Sequence, residues 1–169
     1  MSESDLDLLY IAGFFDGEGS VNIGLSSKSN KNGRHWWPVV RCIIANTNKE
    51  ILERIHKTLE LGTIQKPSKD YNKDVGKRRR PFYFVITSTD QVISFVDQIV
   101  PYSIVKKEEL ELAKKAALFI KKHSPKSRCN RWLKAKVQEY IEHFIDKNKA
   151  IKNTTKGRKR IYSVNWDSW

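Results

Sequence analysis

Cysteine is almost missing from this chain. Cys42 and Cys129 stand alone, outside any CxxC or CxxH grouping, so neither a zinc site nor a disulfide framework is expected. His35, His56, His123 and His143 are scattered in the same way, and all six side chains read as packing or surface groups. Long apolar runs are absent too. The longest, Leu8 to Phe15, falls far below the roughly 20 residues that span a bilayer, so no membrane partner is expected. The opening MSESDLD is acidic and lacks the basic start of a secretory signal; an intracellular, soluble protein is expected. Acidic residues are the remaining shortage: 19 Asp and Glu stand against 32 Lys and Arg, a net charge of +13.

What is present bounds the answer. A chain of 169 residues with 39% apolar and 11% aromatic side chains builds a real core, which excludes a wholly disordered protein. The length suits one domain with an appendage, here 1–148 followed by a basic tail over 149–169. The charge is unevenly placed. Residues 1–60 carry seven basic and eight acidic side chains, whereas residues 111–169 carry sixteen and five. A solvating coat would be spread evenly, so the imbalance points to a binding surface for a polyanion.

Periodicity sets the element order. Leu8, Leu9, Ala12 and Phe15 recur at helical spacing, predicting a helix over 5–17 that Gly17 and Gly19 stop. Residues 20–28 alternate as a strand with one polar face, and 36–46 form the returning strand. Thr47 with Glu50 reads as a capping box for a second helix, ended by Gly62. Residues 63–67 and 81–87 read as strands flanking a basic loop. Ser88 with Gln91 reads as a second capping box, opening a third helix up to Pro101. Helices over 105–122 and 129–148 follow. The order α-β-β-α-β-β-α, then helices, predicts an α+β fold: a four-stranded antiparallel saddle sheet with helices on one face and extra C-terminal helices. The other face is left polar, basic and aromatic, a shape able to lie in a DNA major groove.

The segment LYIAGFFDGEGS, residues 9–20, carries the chemistry. Asp16 and Glu18 fall at a helix C-terminus, where the macrodipole disfavours carboxylates. Two acids there call for a compensating cation, and a hard divalent metal suits oxygen ligands. Gly13 and Gly17 lie four apart, on one face. Glycine weakens a helix, and the loss is offset where another backbone must come close, as in small-xxx-small contacts. The plainer alternative is a helix ended by a Gly-rich turn, with exposed acids.

IAGFFDGEG resembles the LAGLIDADG motif of homing endonucleases and their maturase relatives, position by position in residue type and in its context of hairpin, helix, hairpin and helix. The resemblance implies that Glu18 is the metal ligand, with the Gly17 carbonyl beside it, and that Mg²⁺ or another divalent cation is the cofactor. Asp16 is expected to serve the helix end. One motif copy implies a homodimer in which the motif helices cross at a two-fold axis through Tyr10, Gly13, Phe14 and Gly17. Asn46 stands where the family places a Gln near the attacking water. Lys106 stands where it places a Lys that stabilises phosphate charge. Glu50 stands where a basic residue is usual. With no histidine placed as a general base, activation of water falls to the metal.

The expected DNA contacts are Asn22, Gly24, Ser26 and Lys28 on the first strand, and Arg34, Trp37, Val39 and Arg41 on the second. Lys66, Ser68, Arg79 and Tyr83 follow on the second hairpin, with Lys156 and Arg158 in the tail. Arg41 is the best candidate for a bidentate guanine contact. The resemblance implies a site-specific double-strand break in a long pseudo-palindromic site of double-stranded DNA. An RNA maturase that binds intron RNA, and a non-catalytic DNA-binding regulator, are the alternatives. The retained acid Glu18 weighs against both.

Overall fold

The computed structural model describes residues 3–30, 33–66, 80–123 and 135–155. Helix α1 (Glu3–Glu18) runs directly into the hairpin β1 (Gly19–Asn30) and β2 (Gly33–Asn46). Helix α2 (Lys49–Leu59) leads to β3 (Thr63–Gln65) and β4 (Phe82–Ile86). Helices α3 (Thr89–Ile99), α4 (Lys107–His123) and α5 (Ala135–Thr155) complete the chain. The strands form one antiparallel sheet in the order β1-β2-β4-β3. This is the α+β architecture expected from the sequence.

Alternation decides which face is core. Val21, Ile23, Val40, Cys42, Ile44, Phe84 and Ile86 are all buried. They meet Ile11 and Phe15 of α1, Leu52 and Ile55 of α2, Phe95 of α3 and Leu110 of α4 in one cluster. Full burial of each such side chain contributes roughly 1.5–3 kcal/mol. Helix α4 presents Ala113, Ala116 and Ala117 inward, and these small side chains let it lie close to its neighbours. Burial pushes the Cys42 thiol up to about 12, helped by the charge of Glu109, so this cysteine is a packing group, as expected. Among the described residues no helix is long and apolar enough to cross a membrane.

Several boundaries differ from expectation for identifiable reasons. Gly17 does not stop α1; the helix continues to Glu18, and Gly19 makes the turn into β1. A Cβ on Gly19 would sit 2.3 Å from the Phe15 ring and 2.5 Å from its carbonyl, so only glycine fits. Helix α2 is capped by Asn48, whose side chain accepts the Glu50 N–H at 3.0 Å, rather than by Thr47. Its C-cap is Glu60 in the left-handed region, with Gly62 (φ +74°) making the following turn against Phe84 and Ile86. Ser88 caps α3 without a side-chain hydrogen bond. Gln91 instead accepts the Gly62 N–H at 3.4 Å, a tertiary contact in place of the expected local box.

Helix α5 continues seven residues past the expected end at 148, to Thr155. Ile141 is fully buried, and Tyr140 stacks on Phe119 of α4 with centroids 5.1 Å apart. Further along, Asn148 (3.4 Å) and Lys152 both donate to the backbone carbonyl of Val21. Strand β1 lies at the edge of the sheet, and an uncovered edge invites pairing with other chains. Side chains of α5 satisfy part of that edge.

Candidate functional site

The end of α1 holds two acids with opposite surroundings. Asp16 is half-buried, and its carboxylate accepts the Ser103 hydroxyl at 2.6 Å and the backbone N–H groups of Ile104, Val105 and Lys106 at 2.7, 3.0 and 3.0 Å. These groups form the turn that opens α4, so the positive end of the α4 dipole meets the acid. Lys106 Nζ returns to donate to the Asp16 carbonyl. Burial raises the Asp16 carboxyl, but the Ser103 hydroxyl and the three N–H groups outweigh it and hold the group below its ordinary 3.8. The compensation expected from a metal is, for Asp16, supplied by the protein. Ser103 was not singled out in the sequence; a Ser ahead of the KKEEL helix start is its only local signal.

Glu18 is different. It is the last residue of α1, exposed, and has no hydrogen-bond or ion-pair partner among the described residues. Gly17 is exposed beside it. Asn46 ends β2 two residues past the Gly19–Ile44 pair, so the ladder brings it to the end of the sheet where α1 finishes. Its Oδ1 accepts the Asn48 N–H at 2.8 Å. A cleft of about 330 Å³ opens at the same place, with Gly17, Ser20 and Lys106 in its wall. The fold therefore gathers Gly17, Asn46 and Lys106 at the end of the sheet where Glu18 lies. Among the described residues, no three acids, histidines or cysteines converge as a metal cluster.

The outer face of α1 is apolar. Leu6 is 51% exposed and Tyr10 48%, and nothing lies within 4 Å of a Cβ built on Gly13 or Gly17. Phe14, half-buried, stacks against Tyr10. Next to Asp16, Ile104 and Val105 are 87% and 58% exposed, extending the apolar surface beyond the four residues named from the sequence. Leu6, Leu9, Ile104 and Val105 were missed because exposure is not legible in residue type.

The open face of the sheet carries a second surface. Register places Asn22 opposite Arg41, Gly24 opposite Val39, and Ser26 opposite Trp37. It continues with Ala45 opposite Tyr83 and Tyr83 opposite Gln65. Trp37 is exposed, and Arg41 is half-buried with its Nε lacking a partner among the described residues. Lys66 is exposed but falls one residue past β3; Thr63 and Gln65 hold the positions on Tyr83's face that the sequence reading had passed over. Lys28 and Arg34 pair with His35 and Ser29 at the hairpin tip. The side chains of Lys28 and Arg34, and the whole of Ser68, Arg79, Lys156 and Arg158, lie outside the described residues.

The sequence matches the model of the LAGLIDADG endonuclease family over residues 11–104, more than half of the chain. The chain belongs to the LAGLIDADG endonuclease family. Among solved structures it resembles the homing endonuclease I-CvuI bound to its target with calcium: TM-score 0.69, 19% identity, 94% of this chain and 88% of that one. I-CvuI bound to the uncleaved I-CreI target with magnesium gives TM-score 0.66 at 21% identity, covering 94% and 87%. The homing endonuclease I-TnaI gives 0.59 at 16%, covering 90% and 97%. These identities speak for the fold. No curated protein gives a significant match. Within a LAGLIDADG fold, the matched segment spans the second half of the motif helix, all four strands and the start of the turn that donates to Asp16, as far as Ile104.

Proposed function

We propose that this LAGLIDADG protein is a homodimeric homing endonuclease that makes a double-strand break in a long, pseudo-palindromic DNA site. One observation carries the reading: an exposed acid without a partner among the described residues, Glu18, ends a helix whose outer face is apolar and notched by Gly13 and Gly17. An apolar, glycine-notched face left in water calls for a partner, and a two-fold pairing of identical helices places two Glu18 residues at one seam.

The donor set suits a hard divalent cation such as Mg²⁺. Glu18 offers carboxylate oxygens and Gly17 a carbonyl at the free end of α1, and oxygen ligands are what such an ion selects. One protomer supplies only part of a shell, so a second copy and DNA phosphate oxygens would complete it. When bound, the cation would supply charge neutralisation at the scissile phosphate. Lys106 would add a positive charge on the phosphate, held in place through Asp16 and the α4 turn. Asn46 would orient the attacking water through its amide nitrogen. On the sheet face, Arg41, whose Nε has no partner among the described residues, would read a guanine edge, with Asn22, Ser26, Trp37, Tyr83 and Gln65 around it.

Incubation with a plasmid carrying the uninterrupted insertion locus, with and without Mg²⁺, tests the reading. Metal-dependent linearisation that Glu18→Gln strongly slows is expected. Splicing rescue by the protein without any DNA cleavage would replace this reading with the maturase one.

A further inference from the structure

We propose that Ser103 is a positioning residue for cleavage: its hydroxyl holds the Asp16 carboxylate, and through Asp16 it aims the Lys106 ammonium at the end of α1. The proposal rests on the nuclease reading above. The turn between α3 and α4 sorts its side chains against the usual rule. Ser103 is only 5% exposed, whereas the adjoining aliphatic residues Ile104 and Val105 face water. A buried hydroxyl is the informative case, because burial without a hydrogen bond costs stability. Here the hydroxyl goes to Asp16, at 2.6 Å.

The two carboxylate oxygens are divided between donors. The N–H groups of Ile104 and Val105 take Oδ2, while the Ser103 hydroxyl and the Lys106 N–H meet on Oδ1. Lys106 touches Asp16 a second time, its Nζ donating to the carbonyl. Lys106 is thus held at both its backbone and its ammonium by one residue, and the angle of the Asp16 side chain fixes where the ammonium sits. Any residues but proline at 104–106 would supply the three N–H groups; only a side-chain donor at 103 adds the fourth bond. Ser103 is itself anchored. Its N–H donates to the Ile99 carbonyl at 3.0 Å, and Ile99 is fully buried at the end of α3. The contacts therefore run from the core through Ser103 and Asp16 to Lys106. A charged group acts on a reaction through its placement, and a displacement of about 1 Å can cost roughly 10²-fold in rate.

The test uses the full chain and a duplex carrying the uninterrupted insertion locus. Single-turnover cleavage with Mg²⁺, duplex affinity without it and thermal melting are measured side by side. Ser103→Ala is expected to cleave about tenfold more slowly with unchanged duplex affinity. Ser103→Cys, close in size but a weak donor, shares that loss and serves should the alanine variant not fold. Lys106→Met slows cleavage on its own. Adding Ser103→Ala to it is expected to slow cleavage no further, since the hydroxyl acts only through that ammonium. Tyr102→Phe removes a hydroxyl of the same turn, bonded to Asp5 of α1 at 3.2 Å, and is expected to keep the full rate. A wild-type rate in Ser103→Ala overturns the proposal. So does an undiminished further loss on the Lys106→Met background, or an equal loss in Tyr102→Phe, either of which makes the hydroxyl merely structural. These outcomes leave the nuclease reading standing. A wild-type chain that cleaves nothing at the locus overturns that reading and the proposal together.

Discussion

Helices α1 and α2 pack on the same sheet, but only α2 turns a charged face to water. On α2, Leu52, Ile55 and Leu59 are buried while Glu53, Arg54, His56 and Lys57 face water. This is the ordinary amphipathic pattern of a surface helix. On α1, Ile11, Ala12 and Phe15 are buried, yet the outward side carries Leu6, Leu9, Tyr10 and Gly13 instead of charges. A helix apolar all round is normally buried all round. The difference teaches that α2 serves the stability of the chain, whereas α1 serves the core with one face and, in the proposed homodimer, an assembly with the other.

The largest expected effect separates those two tasks. Leu52→Ala on α2 opens the core and is expected to cost about 2–5 kcal/mol of folding stability, read by denaturant titration. Leu6→Ala on α1 is expected to leave monomer stability nearly unchanged and to weaken self-association, read by sedimentation. Equal losses of folding stability in the two variants would break the comparison.

Next comes chemistry. Glu18→Gln is expected to slow single-turnover cleavage by about 10²–10³-fold with DNA binding retained. Glu53→Gln, the removal of an exposed acid on α2, is expected to leave the rate unchanged. Comparable losses in both would remove Glu18 from its assigned role.

Gly13→Leu sharpens the contrast further. The protomer has room for the new side chain, so folding should persist or improve slightly, since glycine is a weak helix former. Overpacking at a close helix contact costs about 1–3 kcal/mol, so dimerisation should weaken by roughly one to two orders of magnitude. An unchanged association constant would show that α1 faces no partner there.

Asp16→Asn is expected to have the smallest effect on a single measurement, about 1–3 kcal/mol of stability at neutral pH. Its sign with pH is definite. The folded carboxyl lies below its ordinary 3.8, so its contribution is present above that value and fades as pH falls through the folded one. The gap in melting temperature between the parent and Asp16→Asn should therefore narrow below about pH 4. A gap that widens on acidification would contradict the cap on α4.

Much of this protein is local in origin. Alternation in residues 20–28 fixed the inward set Val21, Ile23 and Leu25, because side chains on a strand point to opposite faces in turn. The motif located the acids, the glycines and the family, because helix ends and glycine conformations depend on immediate neighbours. Tertiary structure alone decided that Asp16 is capped and Glu18 left exposed. The groups that bind Asp16 lie 87 to 90 positions away, and no periodicity encodes which distant turn arrives there. Likewise Gln91 left its expected box for Gly62 across 29 positions, and α5 reached the edge of β1 across more than a hundred. Local pattern determines which face a residue takes; only the folded chain determines what that face meets.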